Sequence, residues 1–207
     1  MNFNSIFIFS FFFSVNLIAK DVQILFIGDS LTEGLGVPQN LAYPKLVEQK
    51  FVQNPNHITC TNAGSSGVSG LAGVESLAWQ QKAAKKFDIV FLALGANNGL
   101  KGKSNADLEQ QLQKTVNLAV KNKMKVVIAG MRMPANYGKK LTTEFAQTFE
   151  KIAKKNNLPL LPFLLLNVAA QPKLNISDGI HPNAEGHKII AQSVYDFLMA
   201  HAKELGI

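Results

Sequence analysis

Short apolar runs of strand length alternate along this chain with longer segments of helical periodicity, and that alternation most constrains the fold. The apolar runs fall at residues 23–27, 57–61, 89–94, 126–129 and 160–163, short and apolar enough to be strands covered on both faces. Helical segments fall between and after them, at residues 43–52, 71–86, 106–121, 142–156 and 184–205. Neighbouring parallel strands need a long crossover, which an amphipathic helix supplies, so the expected fold class is α/β, with a five-stranded parallel sheet between helical layers. Local signals agree. Ser104 and Asn105 stand where a helix cap is needed, Leu108, Leu112, Val116 and Leu118-Ala119 form one stripe, and Asn156-Asn157 before Pro159 ends the fourth helix.

No repeat or low-complexity linker divides the 207 residues, and a content of 47% hydrophobic and 17% charged residues is ordinary for one globular domain, expected over residues 21–207. The segment before it differs. From Ile6 to Ala19 it is almost unbroken Phe, Ile, Leu and Val, too short to span a bilayer comfortably, and residues 1–20 read as a secretory signal peptide cleaved near Ala19 or Lys20. Met1 to Ser5 carries no Lys or Arg and only Ala19 fits the small-residue pattern, which keeps an uncleaved lipid-inserted anchor as the competing reading. The expected location is the periplasm.

The single cysteine, Cys60, sits within a strand-like run and reads as a core residue, and no ligand-spaced partner for it implies a metal. The net charge of +7 is spread over helical lysines, with one arginine and no interleaved aromatics, a composition that argues against nucleic acid and leaves room for transient contact with anionic lipid surfaces. No metal and no cofactor are expected.

Chemistry concentrates after the strands, at the carboxyl edge where open sheets of this kind carry their sites. Gly28-Asp29-Ser30-Leu31 follows the first apolar run, Gly64-Ser65-Ser66-Gly67 the second, Gly95-Ala96-Asn97-Asn98 the third, and Asp178 and His181 lie beyond the fifth. A serine hydroxyl is a poor nucleophile until a base takes its proton and an acid orients that base, and Ser30, His181 and Asp178 supply the three parts. Acyl transfer also needs N–H donors where negative charge develops, for which the backbone of Ser30 and Gly67 and the side chain of Asn97 are the candidates. Each residue has a plainer reading: Asp29 or Ser30 as a helix cap, Gly67 as a turn, Asn97 as a left-handed turn residue, Asp178 as a cap for the last helix. The chain has neither G-x-S-x-G nor G-x-G-x-x-G, and His57, His187 and His201 lack a comparable acid and read as packing or surface residues.

Together these blocks resemble the SGNH, or GDSL, hydrolase family over about residues 22–187: Gly28-Asp29-Ser30-Leu31 its first block, Gly67 its second, Asn97 its third, and Asp178-Gly179-Ile180-His181-Pro182 its fifth. Leu94-Gly95-Ala96-Asn97 and Met131–Gly138 look most like its bacterial thioesterase, lysophospholipase and arylesterase branch. The resemblance implies a flavodoxin-like three-layer α/β/α sandwich and a cofactor-free serine esterase, with Ser30 as nucleophile, His181 as base, Asp178 as its orienter, and Ser30, Gly67 and Asn97 around the oxyanion. Its implied substrates are small acyl esters or thioesters, lysophospholipids among them. A carbohydrate acetylesterase, or a noncatalytic lipid-binding protein on the same scaffold, stands as the alternative. One position departs from the family pattern: Asn98 replaces its usual aspartate.

Overall fold

The computed structural model describes residues 19–207 apart from position 84, so the leader read over residues 1–20 lies almost wholly outside the described residues. Five strands, β1 (Asp21–Gly28), β2 (His57–Gly64), β3 (Ile89–Ala93), β4 (Lys125–Ala129) and β5 (Leu160–Leu161), pair in the order β2-β1-β3-β4-β5. Every pairing is parallel. This is the flavodoxin-like order expected, and it reverses direction between β1 and β3, which opens a crevice beyond their carboxyl ends. Register aligns the site-bearing edge: Gly28 lies opposite Gly64 on one side and Ala93 on the other.

The longer helices are α2 (Tyr43–Lys50), α3 (Ala72–Lys82), α5 (Asn105–Lys121), α6 (Lys139–Asn156) and α7 (Ala184–Ala200). On one face α2 packs against α7, and on the other α5 packs between α3 and α6, completing the three layers. In the first layer Tyr43 meets the edges of Phe26 and Phe91, with ring centroids 5.7 and 6.4 Å apart, and in the second Phe145 and Phe149 pack with the α5 stripe of Leu108, Leu112 and Val116. Cys60 is partly buried against the same core, and desolvation pushes its thiol well above the ordinary range.

Several boundaries differ from the sequence expectation. Strand β5 stops after two residues because Pro162 has no N–H to continue the ladder. The last helix breaks at His201, leaving α8 (Ala202–Leu205), and two helices not expected from the sequence, α1 (Ser30–Glu33) and α4 (Ala96–Leu100), follow β1 and β3 directly. Ser104 caps α5 through the N–H groups of Ala106 and Asp107, and Asn157 ends α6 in the left-handed conformation, both as the residues predicted.

Candidate active site

Strand β1 ends on Gly28, where no larger residue fits: a Cβ there would strike the Thr32 side chain. The chain therefore turns tightly into α1. Asp29 caps that helix, its carboxylate accepting the Leu31 N–H at 3.0 Å, and Ser30 becomes its first residue, nearly buried with its hydroxyl turned toward the last loop. The capping reading and the site reading thus divide between neighbours: Asp29 caps, and Ser30 does not.

Ser30 Oγ lies 2.8 Å from His181 Nε2, and His181 Nδ1 lies 2.6 Å from Asp178 Oδ2. A carboxylate can only accept, so Nδ1 carries the proton, and in the neutral ring Nε2 is left to accept the Ser30 hydroxyl proton. Asp178 Oδ1 accepts the backbone N–H groups of Ile180 and His181, each at 3.0 Å. These bonds, with the Ile180 N–H first among them, hold the Asp178 carboxyl down at about 2. Gly179, with φ of 75°, makes the turn that lets one carboxylate reach both its own loop backbone and the imidazole. Ile176 N–H donates to the His181 carbonyl and Asn183 N–H to the Leu174 carbonyl, so the loop is itself a narrow hairpin. The cap of α7 is Asn183, whose side chain accepts from Glu185 and Gly186, and not Asp178.

Gly67, with φ of 76°, occupies a strap between β2 and α3 that α4 fastens at three points. Asn97 Nδ2 donates to the Val68 carbonyl at 2.9 Å, Lys101 Nζ to the Gly67 carbonyl at 3.1 Å, and Asn98 Oδ1 accepts the Gly70 N–H at 2.9 Å. Asn97 is helical and not a left-handed turn residue; its amide has a second N–H beyond the one Val68 uses. Asn98, where the family pattern has aspartate, is buried and accepts through its carbonyl, while its own amide donates to Gln111 Oε1 at 3.2 Å. Gln111 lies on α5 and had no signal of its own in the sequence.

Two buried ionisable groups stand behind the site. Burial pushes the Asp29 carboxyl up to about 6, against the opposing pull of the Leu31 N–H and the charge of His181. His187 is buried in α7 and stacks on Tyr43; its Nδ1 accepts the Tyr43 N–H at 3.3 Å, and desolvation lowers it to about 4. It is a packing residue, as expected. His57 pairs with Asp21 at the surface, and His201 Nδ1 meets the Phe197 carbonyl. Among the described residues no cluster of His, Cys, Asp and Glu has the arrangement of a metal site.

The model of the GDSL-like lipase/acylhydrolase family matches residues 26–189. An arylesterase of Vibrio mimicus is 31% identical over 182 residues, 86% of this chain and 89% of that protein. Thioesterase 1/protease 1/lysophospholipase L1 of Escherichia coli K12 is 30% identical over 197 residues, 92% of each chain. Among solved structures, the psychrotrophic esterase EstA from Pseudoalteromonas sp., inhibited by monoethylphosphonate, superposes with a TM-score of 0.81 at 26% identity, covering 87% of this chain and 98% of that one. With this sheet order and these relatives, the chain belongs to the GDSL-like lipase/acylhydrolase family and is a serine esterase of the SGNH type.

Proposed function

We propose that the protein hydrolyses carboxylic esters or thioesters of small acyl substrates through an acyl-enzyme on Ser30. The observation that carries this reading is the unbroken hydrogen-bonded line from Ser30 Oγ through His181 to Asp178. As Ser30 Oγ bonds to the substrate carbonyl carbon, its proton passes to His181 Nε2, and Asp178 stabilises the imidazolium that forms. The backbone N–H groups of Ser30 and Gly67 and the free N–H of Asn97 bind the carbonyl oxygen as it becomes an oxyanion. Collapse of that intermediate breaks the bond to the leaving alkoxide or thiolate, which takes the proton from His181. Water then attacks the acyl group and gives its proton to His181, which passes it to Ser30 Oγ as the acyl–Oγ bond breaks, so ester and water become acid and alcohol or thiol.

The relatives named arylesterase and thioesterase/lysophospholipase support broad acyl specificity over an acetyl-only pocket. So does the rim: Leu35, Leu100, Tyr137 and Ile180 are exposed beyond the carboxyl ends of the strands, with Tyr137 Oη donating to the Leu100 carbonyl. Met133 is buried and packs beneath the rim. Residues 1–20 are read as the leader that exports the domain to the periplasm, which N-terminal sequencing of the mature protein from that fraction tests. Hydrolysis of aryl esters of increasing chain length tests the activity: turnover that extends past acetyl and vanishes in Ser30→Ala supports the reading, and undiminished turnover in that variant refutes it.

A further inference from the structure

About half of the 21 lysine and arginine residues of this chain lie at one pole, opposite the catalytic rim. In a parallel sheet with antiparallel crossover helices, strand starts and helix ends share one edge. Lys82 closes α3, Lys85 and Lys86 lie between it and β3, and Lys121, Lys123 and Lys125 run from the end of α5 into β4. Lys154 and Lys155 lie in the last turn of α6. Lys20, just before β1, and Lys203 in α8 join them, and the ammonium groups of Lys20 and Lys125 converge on Gly206. All are exposed.

The carboxylates at this edge are Asp21, Asp88 and Glu204, and two of them are engaged locally. Asp21 pairs with His57, and Asp88 accepts the Gln23 N–H at 2.9 Å. Among the described residues no salt bridge uses any of these lysines. At the rim, Lys101, Lys103, Arg132, Lys139, Lys140 and Lys173 are interspersed with Glu33, Asp107, Asp178 and Glu185, so the excess of cations over carboxylates is smaller there than at the opposite pole. Lysines in a last helical turn complement the helix dipole, but that accounts for only part of the cluster, since Lys20, Lys85, Lys86, Lys123 and Lys125 lie outside the helices.

We infer that this lysine pole docks on an anionic lipid bilayer, holding the enzyme with its catalytic rim turned away from the membrane toward water. Lysine ammonium groups without arginine suit diffuse attraction to headgroups better than phosphate forks. The pole is also where the apolar run before Lys20 enters β1, so a retained leader and the lysines would address the same surface. The inference is independent of which ester the enzyme cleaves.

The test is sedimentation of the full-length chain with phosphatidylcholine vesicles with and without phosphatidylglycerol, at low and high salt, with the same leader in every variant. Expected are binding that rises with phosphatidylglycerol and falls with salt, and a loss on the order of 100-fold in partitioning for Lys85→Glu/Lys86→Glu/Lys123→Glu. A rim control, Lys139→Glu/Lys140→Glu, is expected to bind nearly as wild type. Turnover of a soluble aryl ester is expected to be unchanged in both variants and in vesicle-bound wild type. Equal loss in the rim control, salt-insensitive binding, or quenched turnover on vesicles would overturn the orientation. Tighter binding to duplex DNA than to the vesicles at the same salt would assign the pole to nucleic acid and overturn it as well.

Discussion

His181 Nε2 stands 2.8 Å from Ser30 Oγ although 151 residues separate them, and the imidazole is aimed there by Asp178, three positions before it. Because Asp178 also ties down the Ile180 and His181 N–H groups, it both selects the tautomer and builds the loop. Asp178→Asn can still accept from the backbone but can present an N–H to Nδ1, favouring the wrong tautomer. A fall in kcat on the order of 10⁴, with KM little changed and the circular dichroism of the wild type, is expected. Turnover within tenfold of wild type would remove Asp178 from the mechanism.

Asn97 commits one amide N–H to the Val68 carbonyl and keeps a second N–H. Asn97→Ala is expected to lower kcat by about 10² to 10³ if the second N–H meets the oxyanion. A change confined to KM would instead mark Asn97 as a fastener of the strap.

Asn98 holds the Gly70 N–H, and an aspartate there can do the same with a stronger, charged acceptor. Asn98→Asp is therefore expected to leave kcat the same or higher, with the Gln111 amide turning to donate to the second carboxylate oxygen. Asn98→Leu strands a buried N–H, an expected loss of about 1–3 kcal/mol in denaturant unfolding together with reduced kcat. Equal behaviour of the two variants would contradict the hydrogen-bonding role.

Two buried groups act on stability below neutral pH with opposite signs. The folded state keeps His187 at about 4 against an ordinary 6.5, so its contribution is complete above 6.5 and is lost as pH falls toward 4. Asp29 rises from 3.8 to about 6, so its contribution is favourable in acid and is lost as pH rises across that interval. His187→Gln is expected to raise thermal stability at pH 4 relative to pH 7, and Asp29→Asn to do the reverse. Parallel shifts of both variants at all pH values would contradict these assignments.

Much of this was legible in the residues. The inner strands β1, β3 and β4 are apolar on both faces and α5 and α6 carry clear stripes, so the type and order of these elements follow from burial alone. The boundaries were less so: residues 160–163 look like a longer strand until Pro162 cuts the ladder, and α1 and α4 are too short to show a period. Ser30, Asp178 and His181 announced themselves by residue type and loop position. Asp29 was legible as a cap, but Gln111 and Asn183 were not, because a helix-face amide and a hairpin clasp are composed of residue types that ordinarily face solvent.

An activated Ser30 nucleophile reacts with a fluorophosphonate probe, and peptide mass mapping locates the adduct. One adduct is expected, on Ser30, formed rapidly in the wild type and suppressed in His181→Ala. No adduct on Ser30 in folded wild-type protein, or labelling at the same rate without His181, would contradict that activation.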